Sequence, residues 1–96
     1  MTRTELSSSV AKQLKVRGEV VDAIIETAFD AIALELVRGG VVRIRGFGKF
    51  WLKTYPPRRH WNRPLGRMAL LPRRRQVMFT PGQQLRSDVY GVPDAS

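Results

Sequence analysis

Seven arginines lie within 18 residues of one another and carry the clearest chemistry in the chain. They are Arg58, Arg59, Arg63, Arg67, Arg73, Arg74 and Arg75. A guanidinium group stays charged at physiological pH and presents a planar fork of N–H donors that matches phosphate oxygens. The cluster therefore predicts binding of a phosphate-rich polyanion. An edge strand charged only against aggregation is the alternative interpretation.

The remaining charge is also distributed unevenly. Lys and Arg total 17 against 8 Asp and Glu, which gives a formal net charge of +9 and a pI near 11.3. No acidic residue occurs between Leu36 and Ser87, whereas 13 of the 17 basic residues lie there. Such a cationic half favours a polyanionic partner. Ribosomal proteins and membrane-surface binders are basic as well, so the residue pattern has to distinguish among them.

Residue types needed for catalysis or metal binding are scarce. The chain has no cysteine and one histidine, His60, so thiolate metal sites are excluded and a histidine ligand pair is impossible. We find no glycine-rich phosphate loop, no nucleophile beside a base and no pair of carboxylates on one catalytic face. We therefore expect no enzyme activity, no metal and no cofactor. Because no apolar run suits a signal peptide or a membrane span, we expect a cytoplasmic protein.

Two amphipathic helices are predicted in the N-terminal part. Thr2 and Glu5 are spaced as a capping box ahead of a helix from about Arg3 to Leu14. A second helix is predicted from Glu19 to Arg38, with Gly18 as a weak N-cap and a glycine pair after its end. Its apolar side chains cover an arc of roughly 180°. One short neighbouring helix cannot bury so wide a face, which predicts dimerisation.

The opposite side of the second helix carries half of the acids. Glu19, Asp22, Glu26 and Asp30 recur at spacings of three and four and form one stripe. We interpret the stripe as a solvated surface that points away from the polyanion.

Strand patterns follow the glycine pair. Residues 41–45 alternate as a strand with Val42 and Ile44 facing inward, and Gly46 to Gly48 form a tight turn. The phenylalanines of this region also face inward, which favours packing over the base stacking seen in single-strand binders. The predicted dimer core consists of Ile25, Phe29, Ile32, Phe47, Phe50 and Phe79.

Residues 55–75 differ in character from the rest. Their prolines and arginines supply no compact apolar face, so we predict an exposed two-stranded arm that turns near Asn62 to Gly66. The whole chain is predicted as one α+β domain, residues 1–96, that forms an intertwined dimer. Its parts are a helical base of two N-terminal helices (1–38), a three-stranded antiparallel sheet with a short C-terminal helix (41–54 and 76–90), the arm (55–75) and a frayed tail (91–96).

Five stretches resemble the HU/IHF family of bacterial DNA-bending proteins, over about residues 1–90. They are Met1 to Leu6, Ala28 to Asp30, Gly46 to Phe50, Asn62 with Gly66, and Arg74 to Gly82. The last stretch is more similar to the IHF branch than to HU. The resemblance implies a dimer whose two β-arms lie along the minor groove of double-stranded DNA and bend it. It also implies a nucleoid-associated protein, bacterial or phage-encoded, that pairs with itself or with a paralogue.

The site residues implied by this resemblance lie mainly on the arm. The expected DNA contacts are Arg3, Lys53, Tyr55, Arg58, Arg59, Trp61, Asn62, Arg63, Pro64, Arg67, Arg73, Arg74, Arg75 and Arg86. The family places an Asn-Pro pair at the arm tip, where the proline inserts between base pairs. In this sequence Asn62 is followed by Arg63, and Pro64 comes one position late. Pro64 is the intercalation candidate, Trp61 and Leu65 are further apolar wedges, and simple turn geometry is the competing role of Pro64.

Further contacts to DNA are expected on the body of the protein. Backbone amides near Gly46 to Lys49 and at Gly82 are expected to bind flanking phosphates. With Arg63 at the usual proline position, the first alternative is a dimer that coats or bridges DNA without kinking it. The second is an RNA-binding or ribosome-associated protein, for which aromatic side chains on an exposed sheet face are expected. Because the minor groove distinguishes little beyond A·T from G·C, arm contacts predict weak sequence preference.

Overall fold

Within residues 1–91, which the computed structural model describes, three helices and five strands follow one another. The helices are α1 (Arg3–Leu14), α2 (Gly18–Val37) and α3 (Gln83–Tyr90). The strands are β1 (Val42–Ile44), β2 (Gly48–Tyr55), β3 (Arg58–Asn62), β4 (Arg67–Leu71) and β5 (Arg74–Pro81). The α+β class is confirmed. The predicted frayed tail lies, apart from Gly91, outside the described residues.

Helix α1 has the predicted bounds and packs against α2. The Thr2 hydroxyl accepts a hydrogen bond from the Glu5 amide at 3.2 Å, which satisfies one of the free N–H groups of the first turn. Between the helices, the hydroxyl of buried Ser7 donates to the carboxylate of half-buried Asp22 at 3.1 Å. The acidic stripe is therefore not wholly solvated as predicted, because Asp22 packs against α1.

Helix α2 begins one residue earlier than predicted. Gly18 is its first residue, and Arg17 stands at the N-cap without a side-chain hydrogen bond, so the assignment of Gly18 as N-cap is wrong. The Arg17 guanidinium pairs with the Glu19 carboxylate at 2.9 Å. An acid in the first turn complements the partial positive charge of the helix N-terminus. Both side chains are highly exposed, so this ion pair adds little stability to a helix start that lacks a side-chain cap.

Strands β1, β2 and β5 form the predicted antiparallel sheet, with β2 in the centre. Phe50 lies opposite Val42 on one side and opposite Phe79 on the other. The β1–β2 turn is closed by a hydrogen bond from the Phe47 amide to the Ile44 carbonyl at 3.0 Å. A Cβ atom at Gly48 would lie 2.6 Å from the Thr80 carbonyl oxygen, so the close approach of the two strands requires glycine there.

The two remaining strands, β3 and β4, form a second sheet of their own. Their ladder runs from the pair Arg58 and Leu71 to the pair Asn62 and Arg67. Two residues on each strand separate this ladder from the β2–β5 ladder. They are Pro56 and Pro57 between β2 and β3, and Pro72 and Arg73 between β4 and β5. Proline has no N–H to donate to a ladder, so the break follows from the sequence. The predicted arm bounds of 55–75 are therefore wrong at both ends, because Tyr55, Arg74 and Arg75 pair within the β2–β5 ladder of the body. We refer to residues 58–71 as the arm.

Little of the single chain is buried. Among the described residues, only Val21, Leu36 and Ser7 are buried, and each retains a small exposed fraction. The radius of gyration is 19.5 Å, whereas a compact domain of this length has about 12.5 Å. Apolar side chains of α2 remain exposed, including Ile24 and Phe29, of which Phe29 is 47% exposed. None of the three helices in the described part is long and apolar enough to cross a bilayer.

Candidate nucleic-acid interface

The three-stranded sheet has one face that carries most of the polar side chains. Side chains alternate along each strand, so residues opposite one another in the register share a face. The face that carries Leu52 and Val77 lies toward α2, where the two residues line a 420 Å³ groove with Leu36. The other face, which we call the sheet outer face, carries Arg43, Lys49, Trp51, Lys53, Tyr55, Arg74, Gln76, Met78 and Thr80.

An aromatic ring holds two cations on the sheet outer face, beside the root of the arm. The Arg74 guanidinium carbon lies 4.5 Å from the centre of the Tyr55 ring, and the Lys53 ammonium nitrogen lies 5.2 Å from it. Both distances lie within the range of cation–π attraction. Lys53, Tyr55 and Arg74, all expected DNA contacts, are thus brought together as one cationic group.

A second basic position on this face adjoins the start of α3. A hollow of 250 Å³ is lined by Arg43, Gly48, Lys49, Thr80, Pro81 and Gly82. The Phe47 amide donates to Ile44 and the Gly82 amide donates to the Phe47 carbonyl at 2.8 Å, so neither amide is free for a phosphate. The expectation of phosphate-binding amides is wrong for these two groups. Instead, the side chains of Arg43 and Lys49 supply the charge.

Arg43 and Lys49 are further basic side chains of this face that are not among the DNA contacts expected from the sequence. They pair directly across β1 and β2, and Lys49 has the same strand parity as Lys53. Alternation along the strand therefore puts Lys49 on the same face as Lys53, which is an expected DNA contact, and this is the signal in the sequence for Lys49. Arg3 and Arg86 lie exposed on α1 and α3, outside the sheet.

The arm has two chemically different faces. The arm front face, as we define it, consists of Arg58, His60, Asn62, Arg67, Ala69 and Leu71. The arm back face consists of Arg59, Trp61, Met68 and Leu70. The front face carries two arginines and two further hydrogen-bonding side chains, whereas the back face carries one arginine and three large apolar side chains. Expected contacts therefore divide between the faces, with Arg59 and Trp61 on the back.

The arm front face adjoins the sheet outer face at the joint between the two ladders. A hollow of 240 Å³ there is lined by Tyr55, Pro56, Arg58, Leu71, Pro72 and Arg74. Tyr55 and Arg74 belong to the sheet outer face, and Arg58 and Leu71 belong to the arm front face. One basic surface thus continues from the body onto the arm.

The arm tip is a tight turn that presents two apolar side chains. The Gly66 amide donates to the Arg63 carbonyl at 3.1 Å, which places Pro64 and Leu65 at the two central positions. Gly66 has a φ of +63°, a conformation that glycine adopts readily. The Leu65 amide donates to the Asn62 side-chain oxygen at 3.2 Å, so this acceptor is engaged within the turn and the side-chain NH2 group of Asn62 remains as a donor. Pro64 is exposed, and Leu65 is 57% exposed.

The three consecutive arginines that follow the arm, Arg73 to Arg75, have different surroundings. Arg74 stacks on Tyr55, on the sheet outer face. Arg75 belongs to the opposite face, where its guanidinium donates to the Val37 carbonyl at the end of α2, at 3.2 Å. Arg73 lies in the joint, between the two ladders. Of the three, Arg75 thus has a hydrogen bond to the helical base, which the sequence run alone does not predict.

Comparison with known proteins assigns the chain to a family. The model of the family described as bacterial DNA-binding protein matches residues 1–90. The chain belongs to this family. Integration host factor subunit beta of Herminiimonas arsenicoxydans is 36% identical over 90 residues, which are 93% of this chain and 89% of that protein. Integration host factor subunit alpha of Buchnera aphidicola is 31% identical over 94 residues, 98% of this chain and 90% of that protein.

Solved structures of HU have the same fold. A cocrystal structure of Anabaena HU with DNA superposes with a TM-score of 0.81 at 27% identity, and the match covers 93% of this chain and 97% of that one. An HU variant from Thermotoga maritima gives a TM-score of 0.69 at 26% identity, over 93% and 99% of the two chains. The resemblance to the HU/IHF family is confirmed, as is the similarity to the IHF branch, since these sequence relatives are integration host factor subunits.

Proposed function

We propose that this bacterial DNA-binding family member is an architectural protein that grips double-stranded DNA with its arms and bends it. The observation that carries the proposal is the continuous basic surface from the sheet outer face to the arm front face. Most of its side chains are charged or hydrogen-bonding, and phosphates and groove edges require both kinds of group. The similar Anabaena HU was crystallised with DNA, which supports the same class of partner.

The arginines of this surface are free to meet phosphates. Within residues 1–91, the one ion pair joins Arg17 to Glu19, at the base of the molecule. No acid lies between Leu36 and Ser87 to neutralise the arm from within. The arm cations therefore depend on solvent counterions until a polyanion displaces them, and release of those counterions makes binding favourable and salt-dependent.

On the arm front face, Arg58 and Arg67 are the proposed contacts to phosphates along the minor groove, and Asn62 is the proposed contact to the groove floor. Because the Asn62 side-chain oxygen accepts from the Leu65 amide, the side-chain NH2 group is the proposed contact to DNA. An N–H donor suits the acceptor atoms on the minor-groove floor, which A·T and G·C pairs both present. This contact predicts binding with modest sequence preference.

The wedge that unstacks a base step is proposed to be Pro64 together with Leu65. Both stand at the apex of the tip turn, whereas Arg63, at the position where the family usually has proline, accepts the closing hydrogen bond of the turn. An inserted apolar side chain costs a few kcal/mol in unstacking, which the contacts made by the bent duplex offset.

Dimerisation is proposed because the single chain leaves its apolar faces uncovered. Phe79 contacts Phe50 and Phe47, with ring centres 4.8 Å and 5.4 Å apart, yet Phe47 remains 44% exposed. Ile25, Phe29 and Ile32 line the adjacent helix without being fully buried. A second copy is the proposed cover, and native mass spectrometry of the chain expressed alone should show twice its mass. A folded species of single mass would contradict a homodimer.

Bending is tested by energy transfer between dyes at the two ends of a duplex slightly longer than one site. We expect transfer efficiency to rise as protein is added, because bending brings the ends together. Unchanged transfer at saturating protein, with binding verified by anisotropy, would favour a coating protein that does not kink DNA. A structured RNA added at matched salt should compete poorly, and strong competition would favour the RNA-binding alternative.

A further inference from the structure

The arm back face is a patch of exposed apolar side chains on the side of the arm opposite the proposed DNA contacts. Trp61 and Met68 pair directly across the ladder, and Leu70 follows Met68 on the same face. They are 57%, 52% and 67% exposed. A two-stranded ribbon that lies in a groove presents one face to it, so this patch stays uncovered when the front face binds DNA. An exposed apolar cluster of this size is a candidate contact surface.

We propose that the arm back face contacts the same face of a second copy bound to a neighbouring stretch of DNA, and so joins DNA duplexes. The inference rests on the proposed DNA-binding function. Two like faces are complementary because both are apolar, and an antiparallel two-fold arrangement would repeat every contact twice. Arg59 is the one charge on the face, and in that arrangement it would meet apolar groups and solvent.

The small size of the patch predicts that this contact depends on DNA. Three such side chains expose on the order of 350 Å² per arm, so a pair of faces buries about 700 Å², below the roughly 1,200 Å² of stable interfaces. Seven arginines within residues 58–75 also repel a second arm until phosphates neutralise them. Molecules already lined up on DNA make many such contacts at once, so weak individual contacts are sufficient there.

Capture of one duplex by another provides the test. A biotinylated duplex on a surface is saturated with protein, and retention of a second, fluorescent duplex is measured. The double substitution Met68→Gln with Leu70→Gln makes the back face polar, and Met68→Leu with Leu70→Met keeps it apolar as the matched control. We expect the polar variant to lose about tenfold of the captured duplex, while the control captures as wild type does. Affinity of the polar variant for a single short duplex should stay within about twofold.

Three outcomes would overturn the inference, and each differs from failure of DNA binding. Wild-type protein that binds one duplex but never retains a second would remove the contact altogether. Capture by the polar variant at the wild-type level would show that duplexes are joined by another surface. A parallel fall in single-duplex affinity and capture would place the back face against DNA instead. Failure of the wild type to bind a single duplex would instead refute the proposed function.

Tryptophan fluorescence gives an independent measurement. Trp61 lies on the arm and Trp51 lies on the body sheet, where its indole N–H donates to Thr80 at 2.8 Å. The variant Trp51→Phe leaves Trp61 as the single tryptophan. Acrylamide should quench Trp61 equally with and without one short duplex, and less when protein crowds a long DNA. Protection by the short duplex alone would contradict the proposal.

Discussion

The body and the arm front face both have many exposed side chains, but those of the body are apolar and those of the arm front face are mainly cationic or polar. The body exposes Phe29, Phe47 and other apolar groups on α2 and on the inner side of the sheet. The arm front face exposes Arg58 and Arg67. The comparison shows that exposure in a single chain indicates a missing partner and that the chemistry of the exposed groups indicates which partner. A second protein surface suits the body, and a polyanion suits the arm.

Truncation of the body's aromatic cluster should have the largest effect. Phe79→Ala should lower the free energy of unfolding by about 3–5 kcal/mol, because its ring packs between Phe47 and Phe50 at the proposed dimer interface. Urea denaturation and sedimentation equilibrium measure the two effects. Gln76→Ala, on the sheet outer face of the same strand, is the control and should change stability by less than about 0.5 kcal/mol. Equal stability of the two variants would contradict the body's role.

A substitution at the arm tip should change the bend of the bound DNA without changing the stability of the protein. Leu65→Ala should reduce the rise in end-to-end energy transfer, because a methyl group is too small to hold a base step open. Its melting temperature should match the wild type, since Leu65 is exposed in the turn. Leu65→Met, which keeps an apolar wedge, is the matched control. Full bending by Leu65→Ala would leave Pro64 as the sole wedge or remove the tip from the mechanism.

Substitution of Arg74 and of Arg75, which lie where the arm joins the body, should have smaller and different effects. Arg74→Gln should lower the salt slope of DNA affinity by about 1 per arm, because Arg74 lies on the sheet outer face beside Tyr55. Arg75→Gln should instead lower stability by about 1 kcal/mol, because it removes the hydrogen bond to Val37. Salt titrations and thermal unfolding of both variants check the assignment. Interchanged effects would show that Arg75 faces DNA.

The sequence predicted the elements better than the direction of individual side chains. Periodicity and turn residues were sufficient for α1, for the three-stranded sheet and for an arm that turns at Gly66, because these signals are local. Because the prolines interrupt the ladder, the alternation of side chains in the body sheet does not predict which face an arm residue occupies. Neither the back-face position of Trp61 nor the contact between Arg75 and Val37 follows from local pattern. Both depend on how distant segments meet.

The salt dependence of duplex affinity tests most directly whether the arm front face is the DNA-binding surface. A plot of log affinity against log salt concentration should be steep for the wild type, since each phosphate contact contributes about −0.9 to the slope. The double substitution Arg58→Gln with Arg67→Gln should reduce the magnitude of that slope by about 1.8 per arm, with the dimer still folded. An unchanged slope for this folded variant would show that the arm front face does not contact the DNA phosphates.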